Sequence, residues 1–162
     1  MNVAERWVAV TGHRGFDERT SRLVDDALRK HLASVAPGEL VGISCLADGA
    51  DQLFARAVVD AAGRLIVVVP AAQYRAGLPE SCHAEYDALM ASASDVWRLD
   101  FVESTSEAHM AASRRMIEGA SELVAVWDGQ PARGHGGTAD VVTAAREHGL
   151  AVTVMWPDGA SR

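Results

Sequence analysis

Five short runs of almost purely apolar residues recur along this chain: Trp7–Thr11, Leu40–Cys45, Leu65–Pro70, Leu123–Trp127 and Ala151–Trp156. None alternates apolar with polar, as a strand with one wet face would, so each reads as a strand covered on both sides. The segments between them carry apolar residues at helical spacing. Leu23, Val24, Ala27, Leu28 and Leu32 form one stripe, and Leu53, Phe54, Ala57, Val58 and Ala61 a second. Val141, Val142, Ala144 and Ala145 form another, stopped by Gly149. Strands this apolar, alternating with helices, specify an α/β three-layer sandwich: a mainly parallel sheet of about six strands with helices on both faces.

Punctuation residues set the boundaries. Asp17 or Thr20 caps a helix running to about Val35, and Pro37-Gly38 stops it. Asp48 to Asp51 open the second helix and Gly63 ends it. A loop over Ala71–Pro79 precedes a helix from about Ser81 to Ala93, then a weak strand over Val96–Leu99, placed outside the third strand. Ser104 to Glu107 resemble a capping arrangement that opens a helix to about Glu118. The tail from Pro157 is polar and reads as frayed. With 162 residues and no linker, repeat or low-complexity segment, residues 1–162 read as one domain.

In sheets of this kind ligands sit beyond the carboxyl ends of the strands, where the strand order reverses. Three polar clusters follow strands here, and the first and fifth strands are expected to be neighbours. Thr11-Gly12-His13-Arg14 follows the first: Gly12 permits close approach, and Arg14 offers a forked cation for a phosphate or carboxylate. The alternative for Arg14 and His13 is a solvated loop. Asp48, Gly49 and Asp51 follow the second strand; there Asp51 is best explained by its place in the first turn of a helix. After the fifth strand come Trp127, Asp128 and Gly129, then His135, Gly136, Gly137 and Thr138 ahead of the next helix. Strand, glycine loop and helix present backbone N–H groups and a positive dipole end to an anion, so this stretch reads as a phosphate cradle; its plain alternative is a tight turn with Thr138 as N-cap. Asp128 and Asp140 are the candidate acids, and Glu85 is a weaker one. Arg114 either faces the pocket or serves the end of its helix.

The formal net charge of −7 argues against a nucleic-acid surface. Cys45 and Cys82 stand far apart in no CxxC, Cys45 reading as a small core residue, and no charged-then-apolar leader or long apolar run is present. A cytoplasmic protein with no membrane partner is expected. No HExxH or clustered His/Cys spacing signals a metal, and neither GxxxxGK[ST] nor GxGxxG occurs.

With these residues in view, the chain resembles the SLOG superfamily, which includes the LOG phosphoribohydrolases, the DNA-processing protein DprA and the YpsA-like proteins. Thr11-Gly12-His13-Arg14 is similar to a TGHR start, and Ala47 to Asp51 with Leu53 resembles a GARGAD-x-L helix start. Arg114-Arg115 lies where relatives carry Arg-Asn, and Trp127-Asp128-Gly129 with Gly136-Gly137-Thr138 resembles a WDG…GGT loop. The resemblance implies a Rossmann-like fold, a pocket for a nucleotide or NAD-derived ligand with no required cofactor, and a homodimer. The departures concern catalysis. Val141 stands where LOG enzymes carry their glutamate, Arg133-Gly134-His135 replaces a PGG, and Asp48 replaces the arginine of GARGAD. Binding is therefore the first expectation: phosphate held by Gly136, Gly137, Thr138, Arg14 and Thr11, with Asp128 near the sugar. A nucleoside 5′-monophosphate N-glycosidase using Asp128 or Asp140 is the alternative, and a DprA-like single-stranded DNA binder the third.

Overall fold

A computed structural model describes residues 4–131 and 137–162. Six strands alternate with five α-helices among them: β1 Arg6–Gly12, α1 Glu18–Leu32, β2 Leu40–Ser44, α2 Ala50–Asp60, β3 Arg64–Ala71, α3 His83–Ser92, β4 Asp95–Phe101, α4 Ser106–Gly119, β5 Glu122–Val126, α5 Thr138–Glu147 and β6 Ala151–Met155. All pairings are parallel, in the order β4-β3-β2-β1-β5-β6. The chain steps outward from β1 to β4, then crosses back over β3 and β1 through α4 to lay β5 on the other side of β1. The order therefore reverses between β1 and β5, whose ends are level, Gly12 opposite Val126.

Burial follows from position in the sheet. Every residue of β2 and β5 is buried, as their apolar runs require. The two edge strands are only half covered. This explains why β4 is longer than the expected Val96–Leu99: its outer positions hold Asp95, Arg98 and Asp100, which mask an edge strand in the sequence and blunt it in the structure. It lies outside β3, as expected.

Helix starts refine the sequence reading. Asp17 caps α1 by accepting from Thr20 N at 2.7 Å, and Thr105 caps α4 from Ala108 N at 3.2 Å. The helix expected from Ser81 begins at His83, after a 3-10 turn over Glu80–Cys82. Thr138 is not the N-cap of α5; that place belongs to Gly137, which has no side chain to satisfy the first N–H groups.

The tail from Pro157 is not frayed. Trp156 meets the His13 ring edge-on at 5.4 Å, Ser161 N donates to Thr20 Oγ1 at 3.0 Å, and Arg162 Nη1 reaches Asp128 at 2.9 Å. A polar segment docks here because its partners, a helix-capping turn and a carboxylate, are themselves polar. No helix among the described residues is long and apolar enough to cross a membrane.

Candidate functional site

A cavity of about 440 Å³ opens at the carboxyl ends of the strands, over the β1/β5 reversal. That size suits a small ligand. Its floor is made by the ends of β1 (Val10, Thr11, Gly12), β3 (Pro70) and the residues following β2 and β5 (Cys45, Trp127). Helix α4 covers one side with His109, Ser113 and Met116, and α5 presents Gly137, Thr138 and Ala139.

The loops around it are locked by backbone contact. Gly12 is a packing glycine: a Cβ there would lie 2.4 Å from the Ala50 Cβ and 2.8 Å from that of Val126. Gly49 has φ +85°, and a Cβ would come within 2.6 Å of the His13 carbonyl oxygen. The same carbonyl accepts from Ala50 N at 3.2 Å, so His13 supplies the cap that α2 lacks from a side chain. Asp48 holds the first loop from the other side, accepting from Arg14 Nε at 2.8 Å and Gly15 N at 3.0 Å.

One end of the cavity is positive. Arg14 lines it, half-exposed and tethered by Asp48. Arg162 lines it from the docked tail. The start of α5, whose N-cap Gly137 has no side chain, adds the N–H groups and dipole of a helix N-terminus. Behind this rim Asp128 accepts from Arg162 at 2.9 Å and Gln130 N at 3.0 Å, with His13 Nε2 3.1 Å away. Burial opposes its ionisation, but these three neighbours outweigh burial and hold its carboxyl at about 2.

The inner end differs. Asp51 accepts one hydrogen bond, from Ala47 N at 3.3 Å, and its carboxyl faces the cavity. Burial pushes it to about 7; the Ala47 N–H and the charge of Arg14 only partly oppose this. Tyr74 is 4% exposed, its ring set against Tyr86 and edge-on to His109 at 5.5 Å. His109 bonds Ser104 Oγ through Nε2 at 2.7 Å, and burial lowers its basicity, which keeps it neutral near pH 7. Cys45 Sγ lies 3.9 Å from Met116 Sδ, and burial pushes the thiol well up, so it stays protonated.

The structure brings together Thr11, Gly12, His13, Arg14, Asp51, Trp127, Gly137 and Thr138 around one cavity. It leaves others off its wall. Asp48, Gly49 and Asp128 stand behind the lining residues, and Gly129 sits in an exposed turn at φ +82°. Arg114 is exposed, one helical position away from the face of Met110, Ser113 and Met116, so it serves neither the wall nor the pocket. Asp140 is not among the lining residues, Glu85 pairs with Arg56, and Val141, at the LOG glutamate position, is 1% exposed in the core. Arg133, Gly134, His135 and Gly136 lie outside the described residues. Asp51 does occupy the helix turn the sequence assigned to it, but it is also the acid that faces the cavity. Tyr74, His109, Ser113 and Arg162 were not legible as site residues. Ser113 alone carried a signal, its three-residue spacing from Met110 and Met116.

Solved structures share this architecture. DNA processing protein A from Streptococcus pneumoniae superposes with a TM-score of 0.66 at 18% identity, over 93% of this chain and 50% of that one. DNA processing protein A from Helicobacter pylori, described for its single-stranded DNA binding mode, gives 0.69 at 15% identity, over 98% and 69%. The molybdenum cofactor binding protein of Rippkaea orientalis gives 0.63 at 12% identity, over 97% and 80%. This chain shares their α/β Rossmann-like fold. It spans half the length of the pneumococcal chain. No protein-family model matches the sequence, and no curated protein matches it. At these identities the shared property is the fold.

Proposed function

We propose that this SLOG-type domain binds a nucleotide or nucleotide-derived small molecule in the cavity at the β1/β5 reversal. The observation that carries the reading is the polarity of that one cavity. Arg14, Arg162 and the start of α5 make one end an anion site, while apolar walls and an acid with hydroxyls make the other suitable for a flat polar base. Phosphate would sit against Gly137, Thr138 and Ala139, with Arg14 turning from Asp48 toward it. Binding is favoured over N-glycoside hydrolysis because Val141 is in the core and Asp128, held at about 2, is a poor proton donor near neutral pH, which leaves hydrolysis to rest on Asp51 alone.

A thermal-shift screen against nucleoside monophosphates, cyclic nucleotides, NAD and ADP-ribose tests this. A ligand at about 100 times its dissociation constant adds roughly 2.7 kcal/mol of stability, a plain shift in melting temperature. Arg14→Ala should weaken a nucleotide more than its nucleoside, whereas equal losses would remove Arg14 from the phosphate. Incubation with AMP, GMP, CMP and UMP should release no free base. A second reading, single-stranded DNA, is favoured by the likeness to the Helicobacter pylori protein. Retardation of oligonucleotides that falls steeply with salt, without response to mononucleotides, would put DNA in place of the small ligand.

A further inference from the structure

The inner end of the cavity holds more hydrogen-bonding capacity than the chain itself uses. An ionised carboxylate has about four acceptor positions, and among the described residues Asp51 meets a single donor, Ala47 N at 3.3 Å. Tyr74 is 4% exposed and lines the cavity, yet its hydroxyl bonds to no described residue. It is also not sealed away, since among the described residues no fully buried side-chain oxygen or nitrogen is left without a partner. Ser113, 9% exposed on α4 one turn beyond His109, also lines the cavity and has a hydroxyl that bonds to no described residue. The ring contacts of Tyr74 with Tyr86 and His109 fix where its hydroxyl stands. Groups that face a cavity and are not held by the chain can exchange water for a ligand of matching donors and acceptors.

Resting on the nucleotide reading above, we infer that Asp51, Tyr74 and Ser113 form a base-reading subsite selective for guanine. The chemistry follows from which bases offer two adjacent N–H donors to one carboxylate. Guanine does, through N1–H and the exocyclic amino group. Adenine and cytosine place a ring nitrogen lone pair beside their amino group, against the second oxygen of the ionised carboxylate, and uracil flanks its N3–H with two carbonyls. The discrimination therefore belongs to pH above about 7, where Asp51 is charged. The two hydroxyls can donate to the guanine carbonyl and N7, which are acceptors. The apolar side chains of Val10, Pro70 and Met116 supply the walls for a flat ring. The acid's raised affinity for a proton shows that its charge is short of stabilising partners, which a ligand N–H pair would supply.

Calorimetry with GMP, IMP and AMP on the native protein, Asp51→Asn and Tyr74→Phe tests the subsite. IMP lacks the exocyclic amino group and AMP reverses the edge, so the expected order is GMP, then IMP, then AMP, with GMP about tenfold or more tighter than AMP. Asp51→Asn should erase that preference, because its amide offers a donor and an acceptor to either purine edge, and an unligated melt with a normal cooperative transition reports that the variant is folded; Tyr74→Phe should weaken GMP by a few fold and keep the order. AMP bound as tightly as GMP by the native protein, or a GMP preference that survives Asp51→Asn, would overturn the guanine assignment and leave the nucleotide reading standing. Failure of all three nucleotides to bind would overturn both.

Discussion

Two carboxylates, one buried and one partly buried, mark the two ends of the same sheet. Glu122 begins β5 at the amino end, with its side chain 10% exposed; Arg6 Nη2 lies 2.7 Å and His31 Nε2 2.6 Å from its oxygens. Burial opposes its charge, but Arg6 and His31 outweigh burial and hold it below the usual carboxylate range. Asp51 at the carboxyl end has one backbone N–H and is pushed to about 7. The amino end has met its electrostatic needs within the chain. The carboxyl end keeps an acid, two hydroxyls, a helix start and two arginines on a cavity wall, where a ligand can meet them. Burial alone therefore does not distinguish a structural acid from a functional one; the count of its partners does.

The contrast predicts opposite pH behaviour, and Asp51 should give the largest effect. Its folded-state pKa lies above its unfolded value, so the native state holds the extra proton between about pH 4 and 7, and stability is lost as pH rises through that window. A shift of about three units corresponds to at most ~4 kcal/mol. Asp51→Asn removes the dependence: its urea midpoint should exceed the native one at pH 8 and match it near pH 4. Parallel curves would refute the unpaired acid.

Glu122 carries the reverse sign. Its pKa is lowered on folding, so its contribution is complete above the usual carboxylate range and is lost as pH falls. Glu122→Ala at pH 7 should cost about 2 kcal/mol by denaturant unfolding, less than a fully buried pair because Arg6 is 39% exposed. A loss no larger than for an exposed pair would place Glu122 among surface charges. Arg162→Ala is the smallest of the three. Its pair with Asp128, whose side chains are 17% and 16% exposed, should be worth about 1 kcal/mol of stability, whereas its loss from the cavity rim should weaken nucleotides more than nucleosides in the same thermal-shift assay.

Sequence and structure agree where one segment decides its own fate. The apolar runs of β3 and β5 could only be doubly covered strands, and the polar residues after β1, β2 and β5 reach one edge because parallel strands end there together. What stayed hidden depends on distant partners. Tyr74 joins the site only because β3 delivers it opposite α4, and His109 only through its turn of that helix. Arg162 has no local signal; its position is set by Asp128, 34 residues earlier. Gly12 was read as permitting close approach; it lines the cavity, and the approach its missing side chain permits is that of Ala50 and Val126.

The most direct test is Gly137→Asp. Gly137 has φ −71° and ψ 173°, an extended geometry that aspartate adopts readily, and an aspartate N-cap typically stabilises a helix by ~1 kcal/mol. The carboxylate would bond the N–H groups at the start of α5 and put a negative charge where the phosphate is assigned. Melting with and without saturating GMP and guanosine should show an unligated variant at least as stable as the native protein, with the nucleotide-specific shift gone. A GMP shift of undiminished size in the folded variant would mean that the phosphate is held elsewhere.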